Sequence, residues 1–201
     1  MFSYCSIDIE TSGCNPMTCD IIEFAAVLDD LSCAYPPHVD KLPSFHCYLA
    51  KDVYTGEPYA LSMHSTIFRR IAERGLEENR NKYHFFSADR FGNAFKQFLL
   101  NNGYTAEHDK VVITAAGKNF AAFDLQFLKY QSDFCKHIDV RSRVLDPGVL
   151  FLNNNDNQIP GMEECKRRAG MDGFVSHDAL SDAKDVVCLC RKGINKIYGV
   201  K

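Results

Sequence analysis

Two carboxylates stand next to each other near the start of the chain, in the stretch SIDIETSG at residues 6–13. Asp8 and Glu10 are separated only by Ile9, and the residues before them alternate as in a strand. Residues two apart in a strand point to the same face, so these two side chains are predicted to lie side by side. Like charges this close repel and raise each other's pKa values. The pair is therefore expected to hold something of positive charge.

Two further acids and a histidine are candidates to join this pair. Asp124 follows Phe123 in the first turns of a helix that is predicted to come after a buried strand. An acid at that place also complements the helix dipole, which is the simpler alternative. Asp182 lies on the last predicted helix, five residues after His177, so the two are predicted to lie about a turn and a half apart on neighbouring faces. A solvated helix face is the alternative for Asp182, although Ala183 beside it allows an inward orientation.

Four carboxylates that converge on one pocket are too costly to bury unless a cation neutralises them. Oxygen ligands without a cluster of Cys or His favour Mg²⁺ or Mn²⁺. Two such ions about 3.5–4 Å apart stabilise the attacking and leaving oxygens in phosphodiester hydrolysis. A histidine beside them can take a proton from the attacking water. The pair of Asp8 and Glu10 is therefore predicted to hold divalent metal, and Asp124, Asp182 and His177 are the candidates to complete the site.

Length and charge limit the classes of protein that this chain can belong to. Its 201 residues suit one compact domain, predicted to span residues 1–201. The net charge of −3 argues against a protein that coats a polyanion, so a nucleic-acid partner must be bound locally, at a site. No apolar run approaches the roughly 18 residues of a membrane span, and the N-terminus lacks the pattern of a secretory signal. A cytoplasmic protein without membrane association is predicted.

Nine cysteines raise the question of disulfides. Without a secretory signal they are expected to be reduced, because cytosolic thiols rarely pair. Cys14 and Cys19 lack a second Cys or His pair at zinc-like spacing, so a zinc site is the less favoured alternative. Cys5, Cys188 and Cys190 lie in apolar runs and are expected to be core residues.

Hydrophobic periodicity and Gly or Pro punctuation predict the secondary structure. Three strands in a meander are expected near residues 2–8, 21–30 and 45–50. A fourth strand is expected at residues 110–117, a short extended piece at the start of 143–150, and a loop at 75–89. Helices are expected at residues 60–75, 88–103, 119–130, 162–170 and 177–194. This order predicts an α/β fold with a mixed central sheet flanked by helices.

Three short motifs occur in an order that indicates a known family. DIET (residues 8–11), NFAAFD (119–124) and HDALSD (177–182) resemble, in this order, the three motifs of the DEDD exonucleases. The last has the H-x4-D spacing of the DEDDh branch, and residue 178 is Asp where the tyrosine branch would need its Tyr. IIEFAAV follows the first motif as in that family. FHCYL, ALSMH and VLDPGVL resemble segments of the proofreading subunit of bacterial DNA polymerase III. The chain thus resembles the DEDDh (DnaQ-like) 3′–5′ exonuclease family over most of its length.

The resemblance implies a ribonuclease H-like fold. It also implies hydrolysis of single-stranded nucleic acid from the 3′ end, which releases nucleoside 5′-monophosphates. Asp8 would bridge the two cations, while the other positions would serve as further ligands (Glu10, Asp124 and Asp182) and as the general base (His177). DNA is favoured over RNA because of the likeness to a proofreading subunit. Ribonuclease T and oligoribonuclease share the motifs, so an RNA 3′ end stays the alternative.

The same resemblance suggests three substrate contacts, each with a structural alternative. Thr11 matches a position whose backbone meets the terminal nucleotide, or it is a simple strand residue. Asn119 matches a polar residue that supports the site, or it is a turn or cap residue. Phe120 is a candidate for stacking on a base, with core packing as the favoured alternative. Two basic runs could guide the strand or form solvated helix faces: Arg69 and Arg70, and Lys166, Arg167 and Arg168.

The chain departs from the family pattern at two places. Lys118 stands where many relatives have a histidine, and residues 30–44 are longer than a tight hairpin needs. Neither departure touches the five catalytic positions. A non-catalytic nucleic-acid-binding or assembly subunit on the same fold is the alternative function, but it would need a broken site. The expected partners are the 3′ end of single-stranded DNA or RNA and, beyond it, a second copy of the chain (a homodimer) or a separate polymerase-type partner chain.

Overall fold

The computed structural model describes residues 2–33 and 36–198. Within them the chain forms strands β1 (Ser3–Thr11), β2 (Ile21–Asp30), β3 (Ser44–Leu49), β4 (Phe85–Phe86), β5 (Ala106–Glu107), β6 (Lys110–Ile113), β7 (Ala115–Ala116) and β8 (Ile138–Val140). The helices of the same residues are α1 (Pro58–Met63), α2 (Ser65–Ala72), α3 (Glu77–Lys82), α4 (Phe91–Asn101), α5 (Asp124–Lys129), α6 (Ser132–His137), α7 (Pro147–Leu150), α8 (Met162–Arg168) and α9 (Ala179–Tyr198). None of these described helices is long and apolar enough to cross a membrane.

A five-stranded sheet in the order β4-β3-β2-β1-β7 forms the centre of the fold. The first three strands of the chain pair antiparallel, whereas β7 is parallel to β1 and β4 is parallel to β3. A smaller sheet has the order β5-β6-β8. Helices pack against both faces of the central sheet. The predicted α/β fold, with a mixed central sheet flanked by helices, is confirmed.

Alternate residues of β2 face two different apolar clusters. Phe24 and Ala26 join the cluster that also contains residues of α4 and α6. Ala25 and Val27 join a second cluster, which contains the apolar residues of α9. Both faces of the strand are therefore buried, and this explains why β2 is a continuous apolar run rather than an alternating one.

The even-numbered residues of β1 face α9. Tyr4 belongs to the apolar cluster on that helix, and the Ser6 hydroxyl donates a hydrogen bond to the Ala183 carbonyl of α9 (2.8 Å). Because side chains alternate along a strand, the next even positions, Asp8 and Glu10, face the same helix. The packing of α9 on the sheet thus determines what surrounds the acidic pair.

Phenylalanines fill the opposite face of the sheet. The ring of Phe24 lies 5.0 Å from that of Phe95 and 5.5 Å from that of Phe91, both on α4, measured between ring centroids. Phe134 of α6 stacks at 6.3 Å from Phe95. All four rings are buried, so this face of the sheet has an aromatic core.

Several segments differ from the sequence prediction. Residues 75–89 are not a loop throughout: they contain α3 and β4, and β4 adds a parallel strand to β3. The helix predicted at residues 60–75 is two helices that meet at His64. The strand predicted at 110–117 is divided between the two sheets. The helix predicted at 119–130 begins only at Asp124, because Asn119 has a positive φ of 59° and a turn follows it.

The long connection at residues 30–44 is tied to the last helix. Its described part contains a one-turn 3₁₀ helix at Val39–Lys41. The carboxylate of Asp40 in this turn lies 2.8 Å from Lys184 Nζ on α9. Part of the connection therefore packs against the helix that carries Asp182.

Candidate metal centre and active site

β1 presents Asp8 and Glu10 side by side on the face that α9 covers. In the register with β2, Asp8 lies opposite Ala25 and Glu10 lies opposite Glu23. Glu10 is buried, whereas part of Asp8 is open to solvent. The register shifts between Glu10 and Thr11, where regular pairing is interrupted. The acidic pair therefore lies near the end of a well-formed strand that is buried from Tyr4 to Ile7.

α9 brings a third acid to the pair. Asp182 is buried in the first turn of α9, and its Oδ1 accepts a hydrogen bond from the Ser176 hydroxyl (3.1 Å). One carboxylate oxygen each from Asp8, Glu10 and Asp182 lies within 4.8 Å of the other two. The inward orientation of Asp182, rather than a solvated helix face, is what the structure shows.

The fourth acid, Asp124, is the first residue of α5 and is buried. Its Oδ1 accepts a hydrogen bond from the Ile9 N–H (3.1 Å), that is, from the backbone between Asp8 and Glu10. Its charge is also close enough to raise the pKa of Asp8, second only to the effect of burial. The structure thus brings together all four acids that the sequence singled out.

Burial and mutual repulsion disfavour the charged forms of these acids. Burial is the main cause that raises the pKa of Asp8 well above its usual range, and the other acids of the site add to it. The pKa of Glu10 is raised to about 9, mainly by burial and then by the charge of Glu23. Burial raises the pKa of Asp124 against two opposing backbone hydrogen bonds, and it raises the pKa of Asp182 as well. Positive charge is therefore what this cluster needs in order to be ionised.

A divalent cation fits this set of donors. The group of potential ligands found among the described residues consists of carboxylate oxygens alone, and hard oxygen donors suit Mg²⁺ and Mn²⁺. A bound cation would also offset the repulsion that raises the pKa values. Neither Cys14 nor Cys19 belongs to this group. Asp8, Glu10 and Asp182 could therefore hold a divalent cation.

Without metal, the protein is expected to become less stable as the pH rises from about 5 to about 9. The site acids bind protons more tightly in the folded chain than in the unfolded chain, because their folded pKa values are raised. Their stabilising contribution is complete below the unfolded pKa values near 4 and is lost as the pH passes through the folded values. For Glu10 that folded value is about 9. Thermal unfolding in chelator across this range measures the slope, and saturating Mn²⁺ should flatten it.

Asp8→Asn is the matched control for this pH dependence. It keeps the size of the side chain and removes one repelling charge, so the metal-free variant should be more stable than wild type at the alkaline end. Burial lowers the pKa of His64, and this makes the folded protein more stable as the pH rises, against the effect of the acids. Because His64 is present in both proteins, the difference in stability between variant and wild type reports the effect of the acids. Hydrogen bonds from arginines hold the pKa values of Asp156 and Glu164 at about 2, outside the range scanned. A wild-type melting temperature that rises steadily towards the alkaline end would contradict the assignment.

His177 does not lie on the last helix, where the sequence pattern predicted it. α9 begins at Ala179, and His177 precedes it with a positive φ of 50°. Its side chain is exposed. Burial lowers the pKa of His64, and the charge of His177 lowers it further. Burial raises the pKa of Asp182, and the charge of His177 opposes that rise. The imidazole is therefore close enough to influence Asp182 and His64, and it is exposed to solvent.

A second histidine lies at the site and was not among the predicted residues. His64 is buried where α1 meets α2, and its Nε2 lies 3.3 Å from Glu10 Oε2. Burial is the main cause that lowers its pKa, which favours the neutral imidazole. The sequence offered only its place in the motif ALSMH, inside an apparently amphipathic helix. The contact with Glu10 follows from the way α1 packs, which local periodicity does not report.

The three residues predicted to contact substrate have different surroundings. Thr11 is buried at the end of β1, and its hydroxyl donates to the Gly13 carbonyl (2.7 Å). Asn119 is exposed, and its N–H donates to Asp146 Oδ2 (3.0 Å) in the turn ahead of α5. Phe120 is fully buried in the core cluster of the sheet. Its ring has no face free to stack on a base in this structure, and core packing, the favoured alternative, describes it.

Most cations of the two basic runs bind neighbouring groups. Lys166 is buried and its Nζ binds the carboxylate of Asp185. Arg168 pairs with Asp156, and Arg70 donates to a tyrosine hydroxyl of β3 (2.6 Å). Lys118, at the position where many relatives have histidine, lies 3.6 Å from a carboxylate oxygen of the loop before α7. These contacts favour structural roles for the residues concerned.

The arrangement as a whole defines a class of fold. A mixed sheet carries two acids on a central strand, a packed helix brings a third, and the start of another helix adds a fourth. This is the ribonuclease H-like fold of the DEDDh nucleases.

Three of the solved structures that are similar to this chain are nucleases by their description. The nuclease domain of 3′hExo, a DEDDh family member bound to rAMP, superposes with a TM-score of 0.59 at 14% identity, over 96% of this chain and 92% of that one. Exonuclease I from Methylocaldum szegediense superposes with a TM-score of 0.59 at 16% identity, over 99% of this chain and 43% of that one. Exonuclease I of E. coli, in a zinc-bound complex with single-stranded DNA, gives 0.56 at 14% identity, over 98% and 41%.

The similarity is one of fold. No protein-family model matches the sequence, and no curated protein matches it significantly. The chain spans about two fifths of the length of the exonuclease I chains and nearly all of the 3′hExo nuclease domain. A function for this chain has to be argued from the side chains described above.

Proposed function

We propose that this chain is a metal-dependent 3′–5′ exonuclease that hydrolyses single-stranded nucleic acid to nucleoside 5′-monophosphates. The single observation that carries the proposal is the meeting of Asp8, Glu10 and Asp182 within 4.8 Å, from a strand and a helix at opposite ends of the sequence. Asp124 adjoins them through the Ile9 N–H. The fold shared with exonuclease structures supports the same proposal.

In this proposal the four acids hold two divalent cations, Mg²⁺ or Mn²⁺. Asp8 has the central place, because its pKa is raised by burial and then by each of the other three acids. When bound, the cations would supply charge stabilisation for the attacking and leaving oxygens of the scissile phosphodiester. The buried His64 contacts the Glu10 carboxylate and would hold that carboxylate in its orientation.

His177 takes the proton of the attacking water in this proposal. Its exposed position in the loop before α9 leaves the ring free to meet a water molecule and the end of a strand. A positioned general base contributes about 10²–10⁴-fold in rate.

We propose the 3′ end of single-stranded DNA as the favoured substrate, with RNA as the alternative. Among the similar structures, exonuclease I is bound to single-stranded DNA, and the 3′hExo nuclease domain is bound to rAMP. Thr11 and Asn119 are the proposed contacts to the strand. The chain has a formal net charge of −3, so the scissile phosphate must be neutralised mainly by the bound cations.

Three further expectations from the sequence stay predictions. They are a single domain over residues 1–201, a cytoplasmic location, and a second copy of the chain or a separate polymerase-type chain as partner. All nine cysteines are free thiols in the structure.

An end-labelled oligonucleotide assay tests the proposal. The protein should shorten single-stranded DNA from the 3′ end in the presence of Mg²⁺ or Mn²⁺ and release mononucleotides. A 3′-terminal block should prevent cleavage, whereas a 5′ block should not, because the proposed site binds a free 3′ end. Chelator should abolish the activity, and added cation should restore it. The same sequence made as RNA measures the preference between substrates.

Two outcomes would contradict the proposal. Cleavage that continues in excess chelator would remove the metal-dependent mechanism. Cleavage of a circular single strand, which has no end, would show an endonuclease. A linear strand of identical sequence serves as the matched control for the circular one.

A further inference from the structure

β2 carries two buried acids on the face that packs against α9, Glu23 near its start and Asp29 near its end. The Glu23 side chain is fully buried. Its Oε1 lies 2.6 Å from His46 Nε2 on β3, and its Oε2 accepts a hydrogen bond from the Ala179 N–H (3.2 Å). Glu23 thus connects the middle of the sheet to the first residue of α9.

The bond from Ala179 lies between two residues of the proposed active site. His177 is two residues before Ala179, and Asp182 is three residues after it in the first turn of the helix. The first N–H groups of a helix have no acceptor within the helix, so the Glu23 carboxylate satisfies one of them. A negative group there also suits the positive end of the helix dipole. This bond therefore joins the first residue of α9 to the sheet, next to the proposed active site.

The charge of Glu23 is otherwise unfavourable at this place. Glu23 lies opposite Glu10 in the sheet, and after burial it is the strongest cause of the raised pKa of Glu10. A buried carboxylate without partners is costly, and here the contacts with His46 and Ala179 offset that cost. The Glu23 side chain is fully buried, and its contact with the Ala179 N–H links it to the backbone at the start of α9.

We propose that Glu23, held by His46, is a positioning residue that sets the start of α9 so that Asp182 and His177 meet Asp8 and Glu10. This inference rests on the proposed exonuclease function for its catalytic consequence. The expected effect of Glu23 on metal binding does not depend on that function. Asp182 is one of the three clustered acids that could hold a cation, whatever reaction the protein catalyses.

The other end of the same strand offers a matched control. The Asp29 carboxylate accepts hydrogen bonds from Arg191 Nη2 (2.6 Å) and Nε (3.0 Å), on α9 beyond the site. The Tyr4 hydroxyl also donates to it (2.8 Å). Both acids therefore hold the same helix to the same strand, but only Glu23 does so next to Asp182 and His177. Loss of Arg191 should weaken the fold and leave the site geometry unchanged.

Three variants test the proposal: Glu23→Met, Glu23→Gln and Arg191→Met. Glu23→Met keeps the volume and removes both hydrogen bonds, so Mn²⁺ affinity and kcat should each fall about 10–100-fold, with KM little changed. Glu23→Gln can still accept from the Ala179 N–H and can donate to His46, so it should recover most of both quantities. Arg191→Met should lower the melting temperature and keep the Mn²⁺ affinity and kcat of wild type. Calorimetric Mn²⁺ titration, single-turnover cleavage and thermal unfolding are measured on all three.

The proposal is overturned if Glu23→Met binds Mn²⁺ and cleaves like wild type. It is also overturned if Glu23→Gln is as impaired as Glu23→Met, since the charge rather than the hydrogen bonds would then matter. Equal losses of activity in Glu23→Met and Arg191→Met would show a general effect of stability and overturn it too. If Glu23→Met does not fold, His46→Phe replaces it, and wild-type Mn²⁺ affinity there would count against the proposal. A wild-type protein that cleaves no end would refute the exonuclease, while the Mn²⁺ titrations would still decide the role of Glu23.

Discussion

Replacing Asp8 by alanine is expected to reduce the nuclease rate to background and to weaken the binding of both cations. Asp8 is in the group of clustered carboxylate oxygens and also adjoins Asp124, so it is the acid through which the two proposed cation sites are connected. Its loss would remove a ligand from each of the two proposed cations, whereas the loss of an acid that serves one cation would affect that cation alone. Calorimetric titration with Mn²⁺ and single-turnover cleavage of a 3′-end-labelled single strand measure the two effects.

The folding of Asp8→Ala must be checked, because an unfolded variant would also be inactive. Removing one of several repelling acids should leave the metal-free variant at least as stable as wild type at neutral pH. Asp139→Ala is a control of the same chemistry, because it removes an exposed acid from β8 in the smaller sheet. It should keep wild-type activity and Mn²⁺ affinity. Full Mn²⁺ binding by Asp8→Ala would show that the clustered acids are not the metal site.

Replacing His177 by alanine is expected to lower the single-turnover rate by about 10²–10⁴-fold while Mn²⁺ binding survives. The four carboxylates remain in place in this variant, and only the proposed proton acceptor is lost. The contrast with Asp8→Ala separates proton transfer from metal ligation. Both variants are measured at neutral pH and with saturating Mn²⁺, so that differences in metal occupancy do not enter the rate.

The buried histidine at the site provides a competing assignment. His64→Ala removes the contact with Glu10 and should weaken Mn²⁺ binding more than His177→Ala does. His84→Ala, at an exposed position outside the site, should leave both measurements unchanged. If His177→Ala cleaves as fast as wild type and His64→Ala does not, the proton acceptor is His64 and the assignment of His177 fails.

Strand and helix periodicity anticipated those parts of the fold that depend on local pattern. Asp8 and Glu10 share a face because side chains alternate along any strand, whatever surrounds it. The continuous apolar run of β2 and the spacing of Phe91 and Phe95 on α4 likewise follow from local hydrophobic periodicity. The α/β class followed from the order of these elements. The selection of Asp124, Asp182 and His177 depended on motif resemblance, because their own local patterns also suited a helix dipole or a solvated face.

The sequence by itself thus determined the acid pair, the main strands and helices, and the order of the motifs. Only the tertiary structure decided which distant groups meet: Asp182 reaches β1 because α9 packs on the sheet, and His64 reaches Glu10 because α1 ends there. It also placed His177 outside the helix. In the sequence Glu23 is one polar residue in an apolar run, and its partners lie on β3 and at the start of α9. The physical reason is that such contacts join residues far apart in the chain, and their geometry is set by packing across the sheet rather than by any local preference.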